Sequence, residues 1–170
     1  MTGLSTPVPR TSARVILLNQ ENRVLLFTGT ISSRSSGATV AWFLPGGGAE
    51  ENETLAVTAA RELFEETGLR IGPDRLRGPV GVSRGLWSDG ATTYQAEDFV
   101  FVLRIPRWVV TTDGFTPLER RQVTGYRWWT LPELQQTDAV VFPNLLASLV
   151  ADAIKGELPG YPVELPWRAI

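Results

Sequence analysis

Residues 46–69, which read GGGAEENETLAVTAARELFEETGL, constrain the fold more than any other part of the chain. The three glycines predict a tight turn, and the run over 54–67 predicts an amphipathic helix, with Thr54 as N-cap and Gly68 as its stop. At about 100° per residue, one side of this helix collects the residues Ala56, Ala60, Leu63, Phe64 and Thr67. Glu62, Glu65 and Glu66 fall on the other side, so we expect them to point away from the buried face.

Two explanations account for three carboxylates on one helix. The first is a solvated face with i,i+4 ion pairs, Arg61 with Glu65 and Glu66 with Arg70, each worth about 0.2–0.5 kcal/mol. The second is a cation site, because these acids lie in the later turns, where the helix dipole disfavours negative charge. Carboxylate oxygens beside an exposed backbone carbonyl suit Mg²⁺, which proteins usually bind together with substrate phosphates. The cluster therefore predicts a metal site and phosphate chemistry.

The composition narrows the possible chemistry. The chain of 170 residues contains no histidine and no cysteine, which excludes histidine catalysis, thiolate chemistry and the usual nitrogen and sulfur ligands of zinc. Its formal net charge of -2 argues against stable nucleic-acid binding. No apolar run approaches the roughly 18 residues of a membrane span, and the N-terminus lacks the core of a signal peptide. We therefore expect a cytoplasmic protein that does not bind a membrane.

The remaining pattern predicts a single α/β domain over 1–170. Its core spans about 12–155, with a loose arm over 1–11 and an irregular Pro-rich tail over 156–170. A polar, flexible loop is expected over 29–39, either a lid or an insertion. Strands are expected over 13–19, 23–28, 40–44, 79–87, 92–106 and 126–131, and helices beginning at Pro132 and spanning 142–155. The strand over 92–106 is apolar on both faces, which is typical of a central strand.

The glycine turn and the acidic helix together carry a family resemblance. Gly47, Glu53, Arg61-Glu62-Leu63, Glu65-Glu66 and Gly68-Leu69 stand at the spacing of the Nudix box, G-x5-E-x7-R-E-U-x-E-E-x-G-U, in which U is apolar. The sequence resembles that box at every specified position. The resemblance implies an α/β/α sandwich with a mixed β-sheet. It also implies a hydrolase of phosphorus-containing acid anhydrides, which cleaves a small nucleotide diphosphate derivative using Mg²⁺ or Mn²⁺.

The resemblance also implies roles for individual residues of this chain. Glu62, Glu65 and Glu66 are expected to hold the metal, together with the carbonyl oxygen of Gly46. Either Glu65 or Glu66 is expected to act as general base. The catalytic group also includes Glu53 and Arg61, which are expected to hold the turn and the helix in shape.

Outside the box the candidates rest on residue type alone. The position at which relatives carry a further acid appears here as Gly125, so Glu97, Asp98 and Glu119 are candidates for that acid. Arginines suit phosphate groups and an exposed Trp suits a nucleobase. The expected substrate-binding set is therefore Gly47, Arg84, Trp87, Glu119 and Arg121, although solvated arginines and a buried Trp explain the same residues.

Three functions fit the resemblance to different degrees. The first is a Mg²⁺-dependent pyrophosphohydrolase acting on a nucleoside triphosphate, ADP-ribose or a related nucleotide. Since many members of the family are dimers, the resemblance also implies a homodimer. The second is a Nudix-fold regulatory module that binds a nucleotide without cleaving it, but such modules usually have damaged boxes. The third is the isomerase branch, which is similar in fold but needs a catalytic Cys and His metal ligands; this chain has neither, so this function is discarded. The intact box favours the first.

Overall fold

The strands of the protein form one mixed β-sheet. The computed structural model describes residues 6–33, 37–88 and 91–167. In these ranges the strands are β1 (Val8–Leu18), β2 (Val24–Ser33), β3 (Gly37–Phe43), β4 (Gly46–Gly48), β5 (Arg77–Ser88), β6 (Thr93–Arg104), β7 (Val123–Trp129), β8 (Val140–Phe142) and β9 (Val163–Leu165). They are ordered β8-β3-β2-β1-β6-β5-β9, with β4 paired to β1 and β7 paired to β2. β1–β6, β3–β8 and β5–β9 are parallel pairs, and the other pairs are antiparallel.

Helices cover both faces of this sheet. They are α1 (Leu55–Thr67), α2 (Glu119–Gln122), α3 (Leu131–Gln136) and α4 (Leu146–Lys155). Alternate residues of β1 enter different cores: Val15 and Leu17 pack with Leu63 of α1, whereas Ile16 and Leu18 pack with Leu149 of α4. This alternation is what a strand buried on both faces requires. The predicted α/β/α sandwich is therefore confirmed.

The central strand and the acidic helix also match the sequence. β6 lies between β1 and β5, and Val100 to Leu103 are buried without interruption. Thr54 caps α1 by accepting a hydrogen bond from the backbone N–H of Val57, and Gly68 ends the helix in the left-handed conformation at φ 73°. Both helix ends are local in sequence, which is why residue type alone predicts them.

The predicted loop over 29–39 is wrong over most of its length. β2 continues to Ser33 and β3 begins at Gly37, and the two strands pair from Gly29 opposite Ala41 to Ser33 opposite Gly37. The sequence of a hairpin made of small polar residues predicts a loop, because it lacks the apolar alternation of a half-buried strand. Backbone pairing holds the described part of this segment, so the expectation of a lid is wrong there; residues 34–36 lie outside the described residues.

The expected arm and tail are in part strands. Val8 to Thr11 of the arm belong to β1 and pair with β6, beginning with Val8 opposite Tyr94; residues 1–5 lie outside the described ranges. In the tail, β9 pairs in parallel with β5, from Gly81 opposite Val163 to Ser83 opposite Leu165. Neither pairing is visible locally, because each joins segments that are distant in sequence.

The last helix is shorter than predicted. Residues 140–142 form β8, and α4 begins only at Leu146. Leu145 takes a left-handed conformation at φ 64° and is exposed, so it is not part of the buried stripe that continues with Leu146, Leu149 and Val150. No helix among the described residues is long and apolar enough to cross a bilayer.

Candidate metal and substrate site

The glycine turn brings α1 against β1. Gly46 lies opposite Arg14 and Gly48 opposite Ser12, so the turn is held as a short strand. Gly46 has φ 134°, and a Cβ atom there would lie 2.0 Å from the carbonyl oxygen of Ala13. A Cβ atom on Gly47 would lie 2.6 Å from the carboxylate of Glu62. Backbone conformation therefore requires glycine at Gly46, whereas a side chain at Gly47 would have to displace the carboxylate of Glu62.

Arg61 ties this turn to the helix. Its Nε and Nη2 donate to the two carboxylate oxygens of Glu53 at 2.8 and 3.0 Å, and Nη2 also donates to the carbonyl oxygen of Gly48 at 2.9 Å. Its Nη1 donates to Glu62 at 2.8 Å and to Glu65 at 3.2 Å. The hydrogen bonds from Arg61, followed by the one from the backbone of Glu50, lower the pKa of Glu53 to about 2. These contacts are those expected of residues that hold the turn and the helix in shape.

Glu62, Glu66 and Glu119 form a compact group of acids. Each offers a carboxylate oxygen that lies within 4.8 Å of the others. Glu62 and Glu66 come from α1 and are 6% and 4% exposed, while Glu119 is the first residue of α2. Gly46 lies at the edge of the group, because its backbone N–H donates to Glu66 at 2.7 Å. The structure thus brings together Glu62, Glu66, Gly46, Gly47 and Glu119 from the predicted site.

Glu65 is separate from this group. Its side chain is 36% exposed and is held by Arg61, which confirms the Arg61–Glu65 pair predicted from the i,i+4 spacing. The predicted Glu66–Arg70 pair is wrong: the Arg70 guanidinium lies over the ring of Phe64, 4.0 Å from its centroid. Phe64 is correspondingly exposed.

The predicted faces of α1 are therefore corrected. Glu62 and Glu66 are buried, although the wheel placed them away from the buried face, and Phe64 is exposed rather than buried. The helix wheel places apolar and acidic residues correctly relative to one another. It does not include the glycine turn, which contacts the carboxylates of Glu62 and Glu66, or Glu119 of α2, whose carboxylate lies near both.

Burial disfavours the charged forms of two of these acids. The pKa of Glu66 rises from 4.5 to about 8, chiefly because of burial and with smaller contributions from the charges of Glu62 and Glu119, against the opposing charge of Arg14 and the hydrogen bond from Gly46. Burial also raises the pKa of Glu62, although Arg61 opposes the shift. Three converging carboxylates are hard oxygen donors of the type that Mg²⁺ and Mn²⁺ prefer. The residues present therefore fit a divalent cation.

The other predicted substrate residues are not brought into the acidic group. Arg84, on β5, donates to Glu97 at 2.6 Å and is also paired with Glu164. Trp87 stacks on Tyr94 with 4.6 Å between ring centroids, and the guanidinium of Arg10 lies 5.3 Å from the Trp87 ring. Arg121 is exposed on α2, next but one to Glu119. Of the candidates for the further acid, Glu97 is thus paired with Arg84, and Asp98 lies 3.9 Å from Arg14.

A cavity beside α2 was not predicted from the sequence. It has a volume of about 380 Å³ and is lined by Phe27, Thr112, Phe115, Arg120, Val123, Thr124, Gly125 and Tyr126. Phe27 makes edge-to-face contacts with Phe115 and with Tyr126. Gly125, the position that lacks the acid of relatives, contributes only backbone to this wall. The aromatic residues come from separate elements, so no local pattern could have joined them.

Arg14 was also missed. Its Nη1 donates to the carbonyl oxygen of Gly46 at 2.5 Å, at the edge of the acidic group. One signal in the sequence points to it, since Arg14 interrupts the otherwise apolar run ARVILL of a strand buried on both faces. A charged residue at such a position needs a polar partner.

Comparisons with known proteins find similar sequences and similar structures. The sequence model of the NUDIX domain matches residues 8–148. The m7GpppN-mRNA hydrolase NUDT17 of Danio rerio is 42% identical over 72 residues, which cover 42% of this chain and 23% of that protein. The chain therefore spans about a quarter of the length of this curated relative.

Solved structures share the fold at low sequence identity. The MutT protein from Methanosarcina mazei Go1 has a TM-score of 0.56 at 17% identity, covering 89% of this chain and 97% of that one. The NUDIX domain of Shewanella oneidensis NrtR, solved as a complex with ADP ribose, has a TM-score of 0.56 at 18% identity, with 90% of each chain covered.

Proposed function

The chain belongs to the Nudix hydrolase family, and we propose that it cleaves the diphosphate linkage of a small nucleotide with Mg²⁺ or Mn²⁺. The observation that carries the proposal is the group of Glu62, Glu66 and Glu119, whose carboxylate oxygens lie within 4.8 Å of one another. These three residues would hold the ion, and the carbonyl oxygen of Gly46, which accepts a hydrogen bond from Arg14, would offer its second lone pair as a further ligand. When bound, such an ion offsets charge on the phosphoryl oxygens and lowers the pKa of a coordinated water.

We assign the general base to Glu65. Its carboxylate lies outside the group of three acids and is partly exposed, so it can reach a water molecule at the mouth of the site. Arg61 holds it through one oxygen, at 3.2 Å. In the reaction a water oxygen bonds to phosphorus, the bridging P–O bond breaks, and Glu65 takes the proton that the water loses. Glu66 has the weaker case as base, because it is buried and hydrogen-bonded to Gly46.

The nucleoside part of the substrate fits the cavity lined by Phe27, Phe115 and Tyr126. Its volume of about 380 Å³ falls within the range of small-molecule sites, and its aromatic walls suit the faces of a base. Arg120 lines the same cavity and follows Glu119 in α2. This connection would place a bound base next to the acids. Arg84, Trp87 and Arg121 remain proposed contacts for parts of the substrate outside the cavity.

The test is a screen for phosphate or nucleotide release with Mg²⁺. The panel should hold canonical and oxidised nucleoside triphosphates, ADP-ribose, nucleotide sugars, dinucleoside polyphosphates and, in view of NUDT17, a m7GpppG cap analogue. We expect release from at least one class, dependent on Mg²⁺ and lost in Glu66→Gln.

A second outcome would support the alternative function. Tight binding of a nucleotide without release of product, at saturating Mg²⁺, would point to a binding module. The NUDIX domain of NrtR was solved as a complex with ADP ribose, so a domain of this fold can hold a nucleotide. Equal release by the wild type and Glu66→Gln would contradict the proposed metal site. We also propose that the protein is a homodimer, which sedimentation velocity would test. We further propose that it is located in the cytoplasm.

A further inference from the structure

The arginines that flank the acidic group differ in how fully their donors are used. Arg61 donates to Glu53, Glu62, Glu65 and the carbonyl oxygen of Gly48, so its guanidinium is occupied. Arg120 donates to the carbonyl oxygens of Phe115 and Asp113 at 3.1 and 2.8 Å. Both are held by the protein itself. Arg61 therefore cannot bind a substrate anion without breaking the contacts that shape the site, and Arg120 lines the cavity beside α2.

Arg14 is different. Within the described residues its guanidinium donates one hydrogen bond, to the carbonyl oxygen of Gly46 at 2.5 Å. Asp98 lies at 3.9 Å, which is an ion-pair distance but beyond a hydrogen bond. A guanidinium carries five N–H donors, so several remain for a ligand. The side chain is 27% exposed, which leaves part of the group accessible from solvent.

The place of Arg14 matches what a diphosphate needs. Arg14 contacts the C=O of Gly46, and Glu66 accepts a hydrogen bond from the N–H of the same residue. Gly46 therefore contacts both the guanidinium of Arg14 and one of the acids that would hold the cation. A diphosphate bound to that cation carries non-bridging oxygens on its other side, and guanidinium groups bind such oxygens in a bidentate manner.

We propose that Arg14 is a substrate-binding residue that donates to the non-bridging oxygens of the diphosphate while it orients the Gly46 peptide. The inference rests on the proposed function, because it assigns the anion-binding part of the same site. It also identifies the diphosphate as the part of the substrate that Arg14 binds, whichever nucleoside or sugar is attached to it.

The test measures binding of methylenediphosphonate, a diphosphate analogue that cannot be hydrolysed, by calorimetry at saturating Mg²⁺. The variants are Arg14→Met and Arg14→Lys. The matched control is Arg104→Met, since Arg104 is also a strand arginine whose guanidinium donates to backbone carbonyl oxygens, those of Ala153 and Ile154 at the end of α4. Loss of a charged hydrogen bond of 1.5–3 kcal/mol predicts binding weaker by about 10- to 100-fold for Arg14→Met.

The expected pattern separates binding from a structural role. Arg14→Lys should recover part of the affinity, because it keeps the charge but not the planar fork, and Arg104→Met should bind like the wild type. In turnover, KM should rise for Arg14→Met more than kcat falls. Wild-type affinity in Arg14→Met, with only its melting temperature lowered, would overturn the inference and leave the proposed function intact. A wild type that neither binds the analogue nor hydrolyses any member of the nucleotide panel would overturn both.

Discussion

Gly47 has no side chain, and we expect this to matter for the proposed metal site. The space that its Cβ atom would fill is occupied by the carboxylate of Glu62, at 2.6 Å. That carboxylate is the end of a flexible side chain, so Gly47→Ala can fold by moving it. We therefore expect Gly47→Ala to keep its melting temperature within a few degrees of the wild type and to bind Mg²⁺ about 10- to 100-fold more weakly, as when the support of a ligand is lost.

The neighbouring glycine provides the control for this prediction. A Cβ atom on Gly48 would meet nothing closer than the Arg10 guanidinium at 3.6 Å, an ordinary contact. Gly48→Ala should therefore bind Mg²⁺ like the wild type in the same calorimetric titration. Equal affinities for the two alanine variants would mean that the position of Glu62 does not matter for the ion.

Glu65 and Glu119 should separate binding of the ion from turnover. Glu119 belongs to the acidic group and Glu65 does not, although the box alone assigns Glu65 to the metal. We expect Glu119→Gln to weaken Mg²⁺ binding about tenfold, and Glu65→Gln to keep Mg²⁺ affinity while kcat falls by about 100-fold or more, as for removal of a general base. Calorimetry and steady-state kinetics on both variants measure the two effects. Loss of Mg²⁺ affinity only in Glu65→Gln would mean that Glu65, and not Glu119, is a ligand of the ion.

At the scale of elements, the tail strand β9 is the feature that the sequence failed to predict. Leu165 is 4% exposed and packs in the same core as Leu149 of α4, whereas Val163 is 41% exposed on the same strand. We expect Leu165→Ala to lower the free energy of unfolding by about 2–4 kcal/mol, and Val163→Ala to lower it by less than about 1 kcal/mol. Urea unfolding of both variants measures the difference. A Leu165→Ala protein as stable as the wild type would mean that the tail does not hold the core.

The limits of prediction follow from the range of the interactions. Helix α1, its caps and the spacing of its acids are encoded within the 24 residues of the segment 46–69, so they are legible in the sequence. β9 gains its pairing from β5, about eighty residues earlier, and its Pro-rich surroundings resemble loop. The same reason explains the site: Glu62 and Glu66 were predicted from their own helix, but their burial and the contact of Arg14 with Gly46 depend on β1 and β4.

At the scale of the whole molecule, the buried acids link stability to pH and to metal. Burial raises the pKa of Glu66 to about 8 from 4.5, so the folded chain binds this proton more tightly than the unfolded chain. Stability from this group is therefore fully present below pH 4.5 and is lost as the pH rises toward 8. Glu53 acts in the opposite direction at lower pH, because its pKa falls to about 2 and its contribution is lost on acidification. The pH range in which Glu53 changes stability, from about 2 to 4.5, therefore lies below the range for Glu66, from 4.5 to about 8.

Glu66→Gln should remove the loss of stability at higher pH, because glutamine is neutral at every pH and keeps an acceptor for the Gly46 N–H. In EDTA, we expect the free energy of unfolding of the wild type to fall relative to the variant between about pH 5 and pH 8, by up to about 1.4 kcal/mol per pH unit. Mg²⁺ at pH 8 should then stabilise the wild type more than the variant, because the ion replaces the proton and binds only the folded state. Urea titrations of both proteins at each pH, with and without Mg²⁺, measure these differences. A wild type that gains stability over the variant as the pH rises would show that Glu66 is charged without the ion, and that the acids need no cation to coexist.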